Sequence, residues 1–500
     1  MPAGGPLKSR EICEMTINPG AAAAHLTAER LRAGAARILQ QGDRARQTRK
    51  ASASVWAALG NRALEATVRP SFRADEAIAE TLATASAALH ASDVPHIQVD
   101  SYPELPQIQI QPRHWNAALR ALAADPKQHW YALRGGRIRR VTHRLEADAT
   151  GTLRLFRAWA DPEGRFLAGP DVGFSLSRLG KHSVVSAEPV DVVYTWVDGA
   201  DPEWQRQKEK HTPGANGELH ETATNQARFT SIEELRFSLR SLVRYAPWVR
   251  NVYVVTASQV PRWMADEHPS VKIIDHTEIF DDADALPTFN SHAIESRLHH
   301  IDGLAERYLY LNDDVFFAQY LPPSTFFDEN GHPRVFLSGL RVSGDPRTRL
   351  DAPVVAAAKN NRDLLLRLTG KPLTHRQKHV PHPQLRSVAF ELEARAPDEF
   401  AHTGRAKFRE PTDLSIASSL LPFYCYLTGR GSLGTIGHFY ADVASAELSW
   451  RLPRLLRERD TDIICLNATT HSQHHYAAMI RAFYEAYFPG TSPFERPEAP

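Results

Sequence analysis

Cysteine is scarce. The 500 residues hold three, Cys13, Cys425 and Cys465, far apart and without a CxxC pair. An odd, scattered set argues against a disulfide scaffold or a zinc ribbon and fits a reducing compartment. No apolar run approaches the roughly 18–20 residues of a membrane-spanning helix. The first residues, MPAGGPLKSREICEM, lack the apolar stretch of a secretory leader, so the expected location is cytoplasmic. An excess of one charge is missing too. Against 59 Lys and Arg stand 58 Asp and Glu, a net charge of +1, and no global field points to nucleic acid or membrane. GxxxxGK does not occur, and the match to GxGxxG, GRGSLG at 429–434, follows LLPFYCYLT instead of joining a strand to a helix, so a bound nucleotide is not expected to rest its diphosphate on a glycine-rich loop.

What is present is a globular composition, 42% hydrophobic and 23% charged, in a chain long enough for two to four domains. Residues 21–90 are rich in Ala, Arg and Leu, as in AERLRAGAARILQQGDRARQ, which predicts helix. The basic stretch from Arg30 to Lys50 reads as a solvated helical face; contact with an anionic membrane surface is the alternative. Residues 91–115, dense in proline and polar groups, read as a connection. Between 128 and 168, alternating runs around the turn signals DATG and DPEG predict a small antiparallel sheet. The expected units are a mainly helical accessory region over 1–125, a small β region over 126–186 and an α/β domain over 187–500. Nothing before residue 187 suggests a chemistry.

From 187 strand and helix alternate. PVDVVYTWV, VRNVYVVTAS, VKIIDHTEIF and RYLYLNDDVFF read as strands buried on both faces. SIEELRFSLRSLVRYAP reads as a helix with Ser231 as N-cap and Glu234 closing a capping box. SHAIESRLHHIDGLA reads as a second, capped by Ser291. The pattern predicts a largely parallel sheet.

In such sheets ligands bind at the C-terminal strand ends. The first strand ends in Asp198 and Asp201, the fourth in Asn312, Asp313 and Asp314. Without a glycine-rich loop between a strand and a helix, the remaining device for a diphosphate is a divalent cation between carboxylates and phosphate oxygens. On a regular strand Asp313 and Asp314 would face opposite ways. One is therefore expected on metal and the other on sugar or backbone; the competing reading is an Asx turn.

Three longer segments carry a resemblance. DVVYTWVDGADPEW, RFTSIEELRFSLRSLVRYAPWVRNVYVVTASQVPRWM and LPTFNSHAIESRLHHIDGLAERYLYLNDDVFF resemble the first two conserved regions of the Stealth family of sugar-1-phosphate transferases. That family includes bacterial capsule polymerases and the N-acetylglucosamine-1-phosphotransferase of lysosomal enzymes. KHVPHPQLRS with KFREPTDLSIASSLLPFYCYLTGRG is similar to the third region. DIICLNATT through FYEAYFPGTSPFE is similar to the fourth. The regions fall near 188–204, 226–330, 375–432 and 460–495.

The resemblance implies a glycosyltransferase-A-like nucleotide-diphosphosugar fold, a UDP-sugar-type donor, a glycan acceptor and Mg²⁺ or Mn²⁺. It implies transfer of hexose- or N-acetylhexosamine-1-phosphate into capsule or exopolysaccharide, with no nucleic acid as partner. The N-terminal region could meet a membrane or a capsule complex. The metal falls to Asp313 and Asp314. Catalytic roles fall to Asp198 as base or ligand, His379 as phosphate contact or proton carrier, and Arg409, whose planar fork suits a phosphoryl group. Thr195, Trp196, Gly199, Asn290, Ser291, His382 and Asn467 fall to the nucleotide-sugar, Asn290 and Ser291 at a helix N-terminus that favours anions. Competing readings are core packing for Trp196, N-capping for Ser291, and a surface ion pair of Arg409 with Glu410 or Asp413. His379 and His382, spaced HxxH, would need further ligands to hold zinc. One position departs from the family: Ala468 follows Asn467 where an Asp is usual, and His471 is a candidate stand-in. That leaves open a non-catalytic carbohydrate-binding member, and the shared fold and donor leave open an ordinary glycosyltransferase.

Overall fold

The computed structural model describes residues 54–59, 62–99, 104–124, 131–134, 137–140, 153–167, 172–178, 188–212, 231–467 apart from 267 and 349, and 476–496. The basic stretch 30–50, the DATG turn, Ala468 and His471 lie outside them.

The first described segment departs from the expected helix. Strands Ser54–Leu59 (β1) and Arg62–Val68 (β2) form an antiparallel hairpin. Among the described residues, helix begins at Ala74–Ala91 (α1). The alternation in RALEATV fits a strand, and it outweighs the helix propensity of its alanines. The expected connection over 91–115 likewise contains two strands, His96–Val99 (β3) and Gln107–Ile110 (β4), paired antiparallel. Their HIQV and QIQI patterns alternate, a signal obscured by the prolines between them. Helix Trp115–Ala123 (α2) follows, then strands Tyr131–Arg134 (β5), Arg137–Arg140 (β6), Leu153–Phe156 (β7), Trp159–Ala160 (β8) and Gly173–Arg178 (β9). One six-stranded sheet, ordered β3-β4-β9-β7-β5-β6, draws strands from both sides of residue 125. The DPEG signal is a turn, with Asp161 accepting from the N–H groups of Glu163 and Arg165 and Gly164 at φ +79°.

Helix α1 joins this unit to the rest. Leu82, Ala85 and Leu89 pack with Ile108, Leu122 and Phe174 over the six-stranded sheet. One turn earlier, Ala74, Ala77 and Ile78 belong to the large core around Val192, Leu239 and Leu309. A helical stripe of small and aliphatic residues thus serves two cores.

The large core surrounds a five-stranded sheet. Its strands are Val190–Thr195 (β10), Val252–Thr256 (β11), Val271–Asp275 (β12), Arg307–Asn312 (β13) and His382–Leu385 (β18), ordered β12-β11-β10-β13-β18. The first four are parallel and β18 is an antiparallel edge. The expected α/β domain with a largely parallel sheet is therefore present. Helices Pro202–His211 (α3) and Glu234–Tyr245 (α4) come between β10 and β11. Two expected caps shift. Helix α4 starts after Glu233, at φ +65°, and Ser231 instead donates to the Glu234 carboxylate. The helix Ser291–Glu295 (α5) has five residues and is capped by Asn290, which accepts from His292 N–H; 298–300 is only a 3-10 turn.

RYLYLNDDVFF is not one strand. β13 ends at Asn312, Asp313 and Asp314 form a turn, and the chain resumes as Val315–Phe317 (β14). β14 belongs to another sheet, ordered β14-β21-β20, with His438–Asp442 (β20) and Ile463–Asn467 (β21). Between β14 and β18 come Arg334–Val335 (β15), Leu337–Arg341 (β16), helix Pro353–Thr369 (α6) and His375–Gln377 (β17), which pairs with β16. Among the described residues no helix is long and apolar enough to cross a membrane.

Candidate active site

A cavity of about 630 Å³ opens over the C-terminal ends of β10 and β13, between them and β17, β20 and β21. Thr195 and Asn312 are register partners at those two strand ends. The Tyr310 hydroxyl links them, 3.2 Å from Thr195 Oγ1 and 2.9 Å from Asn312 Oδ1. Asn312 Nδ2 lies 3.0 Å from His379 Nε2. A hydrogen-bonded line thus runs from the floor of the sheet to the histidine.

Asp313 and Asp314 both line the cavity, because the turn frees them from strand alternation. Asp314 Oδ2 accepts from Asn467 Nδ2 at 2.8 Å and faces the Cys465 thiol at 3.6 Å. Its Oδ1 is buried without a hydrogen-bond partner and lies 3.6 Å from His379 Nε2. A third carboxylate joins them. Glu234 is 7% exposed, lines the same cavity, and accepts from Ser231 Oγ and Ile232 N–H, both at 2.6 Å. Burial, then the Glu234 charge and the Asp314 charge, push the Asp313 carboxyl well above its ordinary range. Burial also pushes Glu234 up, against the pull of its hydrogen bonds. Among the described residues no Lys or Arg pairs with any of these three acids. Asp191, at the other end of β10, shows the contrast: it is fully buried but takes bonds from Arg250, Asn251 and Ala305. Buried charge is costly unless paired or bound to metal. An acid cluster with an orphaned oxygen therefore fits a hard divalent cation. Asp314, His379 and Cys465 also lie within metal-binding reach of one another. Burial and then Asp314 hold the Cys465 thiol protonated, so it serves as a donor to Asp314.

Arg409, also lining the cavity, donates from Nη2 to Ser291 Oγ at 2.7 Å, and its Nε is buried without a partner. It forms no ion pair with Glu410 or Asp413. Asp413 is instead taken by Asn290 Nδ2 at 2.8 Å and Glu410 N–H at 3.0 Å. Burial lowers the Arg409 pKa, while the Glu295 and Asp413 charges raise it. Glu295 accepts from Ser418 Oγ and N–H at the π-helical turn Ile416–Leu420, a backbone irregularity common at functional sites. His382 lines the cavity, stacks near Tyr310 and is pushed down to about 3 by burial and then the His379 charge, so it is neutral.

The cavity thus gathers Thr195, Trp196, Ser291, Asp313, Asp314, His379, His382, Arg409 and Asn467. Trp196 is part-buried, packed against the core and lining the cavity at once. Three expected residues do not line it. Asp198 accepts from Ala200 N–H at 2.9 Å in the turn before α3, and the Gly199 carbonyl accepts from Gln205. Asn290 is wholly buried, with Nδ2 directed to the carbonyls of Ala406 and Phe408 and to Asp413. It shapes the site from behind, and Ser291 faces the cavity. Sequence reasoning missed Glu234, whose S-x-x-E spacing reads as a capping box, and Glu295, which reads as first-turn helix charge.

The comparisons with known proteins agree on one relationship. The four family models for Stealth protein conserved regions match in order, region 1 at 188–212, region 2 at 228–335, region 3 at 378–426 and region 4 at 453–500. An exopolysaccharide phosphotransferase of Nocardia farcinica is 36% identical over 354 residues, 70% of this chain and 67% of that protein. The chain belongs to the Stealth family. An exopolysaccharide phosphotransferase of Streptomyces coelicolor is 47% identical over 313 residues, 62% of this chain and 53% of that protein. The CpsY exopolysaccharide phosphotransferase of Mycobacterium tuberculosis is 36% identical over 312 residues, 61% and 58% of the two chains. The chain spans about half the length of these last two Stealth relatives. Among solved structures, a galactosyltransferase, LgtC, in complex with donor and acceptor sugar analogues covers 61% of this chain at 10% identity and a TM-score of 0.31, matching over 98% of its own length. Mouse xyloside xylosyltransferase 1 covers 56% at 11% identity and a TM-score of 0.26, matching over 99% of its length.

Proposed function

We propose that the protein is a metal-dependent sugar-1-phosphate transferase, with a glycosyltransferase-A-like core, that moves hexose- or N-acetylhexosamine-1-phosphate from a nucleotide-diphosphosugar to a glycan hydroxyl in exopolysaccharide synthesis. The observation that carries this reading is the pairing, in one cavity, of three uncompensated acids with an arginine whose Nε has no partner. A diphosphate bound through a cation satisfies the acids and the arginine together. Asp313, Asp314 and Glu234 would hold Mg²⁺ or Mn²⁺, which supplies charge neutralisation on the phosphate oxygens.

The protein's own groups do the rest. Arg409 and Ser291 face the phosphoryl oxygens and hold the group in line. Asn312 donates to His379 Nε2 and holds that nitrogen unprotonated, and the acceptor hydroxyl replaces this bond to reach its single lone pair. The acceptor oxygen forms a bond to the phosphorus that bears the sugar. The phosphorus–oxygen bond to the nucleoside monophosphate breaks, and the hydroxyl proton passes to His379. Asp314, 3.6 Å from Nε2, stabilises the resulting imidazolium. Trp196, Ala257 and His276, at the ends of β10 to β12, border the space for the nucleoside. A UDP-sugar is the first donor to try, and a cytoplasmic setting, where activated sugars are made, goes with this reading.

The test is the nucleotide released from a panel of activated sugars in the presence of Mg²⁺ and an acceptor glycan. Nucleoside monophosphate with a phosphodiester product supports the proposal. Nucleoside diphosphate makes the protein an ordinary glycosyltransferase, and donor binding without turnover makes it a binding member.

A further inference from the structure

Residues 336–377 lie between the matched regions 2 and 3, and no family model covers them. They nonetheless build a wall of the cavity, through Pro353 and Val354 at the start of α6 and through Arg376 and Gln377 on β17. Both polar atoms of the Gln377 carboxamide, Oε1 and Nε2, are buried without a hydrogen-bond partner, as is Arg376 Nε. The backbone there is fixed: Gln377 is register partner to Leu337, and Lys378 N–H donates to the Phe336 carbonyl at 2.8 Å. Leaving a buried polar group unpaired costs about 1–3 kcal/mol. An amide with both ends unpaired, on a fixed strand facing a cavity, is therefore set for a ligand.

The chemistry of the amide narrows that ligand. A phosphate would use Nε2 and be repelled by Oε1; a cation would do the reverse. A neutral ring with adjacent hydroxyls, or a hydroxyl beside an acetamido group, offers a donor and an acceptor together and satisfies both ends. Gln377 is two residues from His379, and the group nearest the reacting phosphorus on the donor is its sugar. The nucleoside space lies over β10 to β12, on the far side of Asp313 and Asp314 in the strand order.

We propose that Gln377, supported by Arg376, reads the sugar ring of the donor and sets which sugar is transferred. This rests on the reading of the cavity as a nucleotide-sugar site.

The experiment compares wild type with Gln377→Met, which keeps the volume and removes both polar ends, and with Gln377→Ala. Donors differing at single ring hydroxyls or at the acetamido group are ranked by kcat/KM, and by direct binding if turnover is absent. Affinity for the free nucleoside monophosphate, acceptor KM and Tm are measured alongside. The expected result is a loss of at least tenfold in discrimination between donors. Nucleotide affinity and acceptor KM stay unchanged, and Tm stays level or rises, since an unpaired amide has been removed. Unchanged discrimination overturns the inference, as does an effect confined to acceptor KM or a uniform loss of activity with a lowered Tm. The nucleotide released by wild type reports separately on the transfer reading: release of diphosphate would defeat that reading and leave the donor ranking interpretable.

Discussion

Asn467 Nδ2 donates to Asp314 Oδ2 at 2.8 Å and ties the end of β21 to the turn after β13. The contact spans 153 residues and fixes which oxygen of Asp314 remains open. Asn467→Ala is expected to lower kcat about 10- to 100-fold and to weaken the metal dependence, the usual scale for losing a partner behind a metal ligand. Tm should change little. A metal titration of activity checks it, and an unchanged activation curve would remove Asn467 from this role.

Asp313→Asn and Asp314→Asn should each abolish transfer without unfolding the protein. Wild type should gain stability with added Mg²⁺ or Mn²⁺, by about 2.7 kcal/mol at a hundredfold excess over Kd. The variants should lose that gain, and Asp313→Asn should leave the metal-free protein as stable as wild type or more so, because it removes one member of a repelling buried cluster. Thermal melts with and without the ion decide this, and a fully active Asp313→Asn would end the metal assignment.

Arg409→Lys is expected to lower kcat/KM about 100-fold. An ammonium supplies a point charge where a planar fork is needed to hold Ser291 and a phosphoryl oxygen together. Ser291→Ala should cost less, since it removes only the hydroxyl that orients the fork. Steady-state kinetics with saturating acceptor separate the two, and equal activity of Lys and Arg would count against the phosphoryl contact.

Away from the cavity, Glu393 accepts from His299 Nε2 and His300 Nε2, both at 2.9 Å, and pairs with Arg297. Burial raises its pKa, but the two histidine bonds outweigh this and hold it well below the ordinary 4.5. Burial lowers His299 from its ordinary 6.5. Both folded values lie below their unfolded ones, so the folded state binds fewer protons in the intervening range. Stability is then lost as pH falls, from about 6.5 for His299 and from about 4.5 for Glu393. Glu393→Gln should cost about 1–3 kcal/mol at neutral pH. The difference from wild type should shrink as the pH drops below 4.5. Denaturant melts across that range test the sign.

Glu495 is held by Arg236 Nε at 2.6 Å and by Arg240 Nε and Nη2 at 2.7 and 2.6 Å, with its side chain wholly buried. Glu495→Ala leaves two half-buried guanidinium groups without their carboxylate and is expected to cost about 3–5 kcal/mol. Equilibrium unfolding measures this directly, and a loss below 1 kcal/mol would mean solvent reaches the pair.

That the central sheet is largely parallel was readable because apolar strand-like runs alternate with helical stretches; its strand order was not. Asp313 and Asp314 were readable as a pair, but not their common orientation. Period-2 logic assumes an unbroken strand, and the chain turns between them. Glu234 was hidden because a capping-box glutamate and a cavity acid share one local pattern; only the arrival of Asp313 beside it distinguishes them. Asn290 and Ser291 exchanged roles for the same reason, since either neighbour can cap and the fold decides which side chain faces inward. Asp198 reads as functional from its strand end, yet its nearest partner is Ala200. In the N-terminal unit, the alternation of HIQV, QIQI and the alanine-containing RALEATV runs over too few residues to be told from loop or helix without the partner strands.

The clamp on Glu495 bears on the order of synthesis. Helix α4 presents Glu234 from its first turn, and the carboxylate that fixes this helix follows Arg236 by 259 residues. A nascent chain can complete the parallel sheet and still lack both the clamp and Asn467. The acids at 234, 313 and 314 therefore gain their supports from 467 and 495 only late in synthesis.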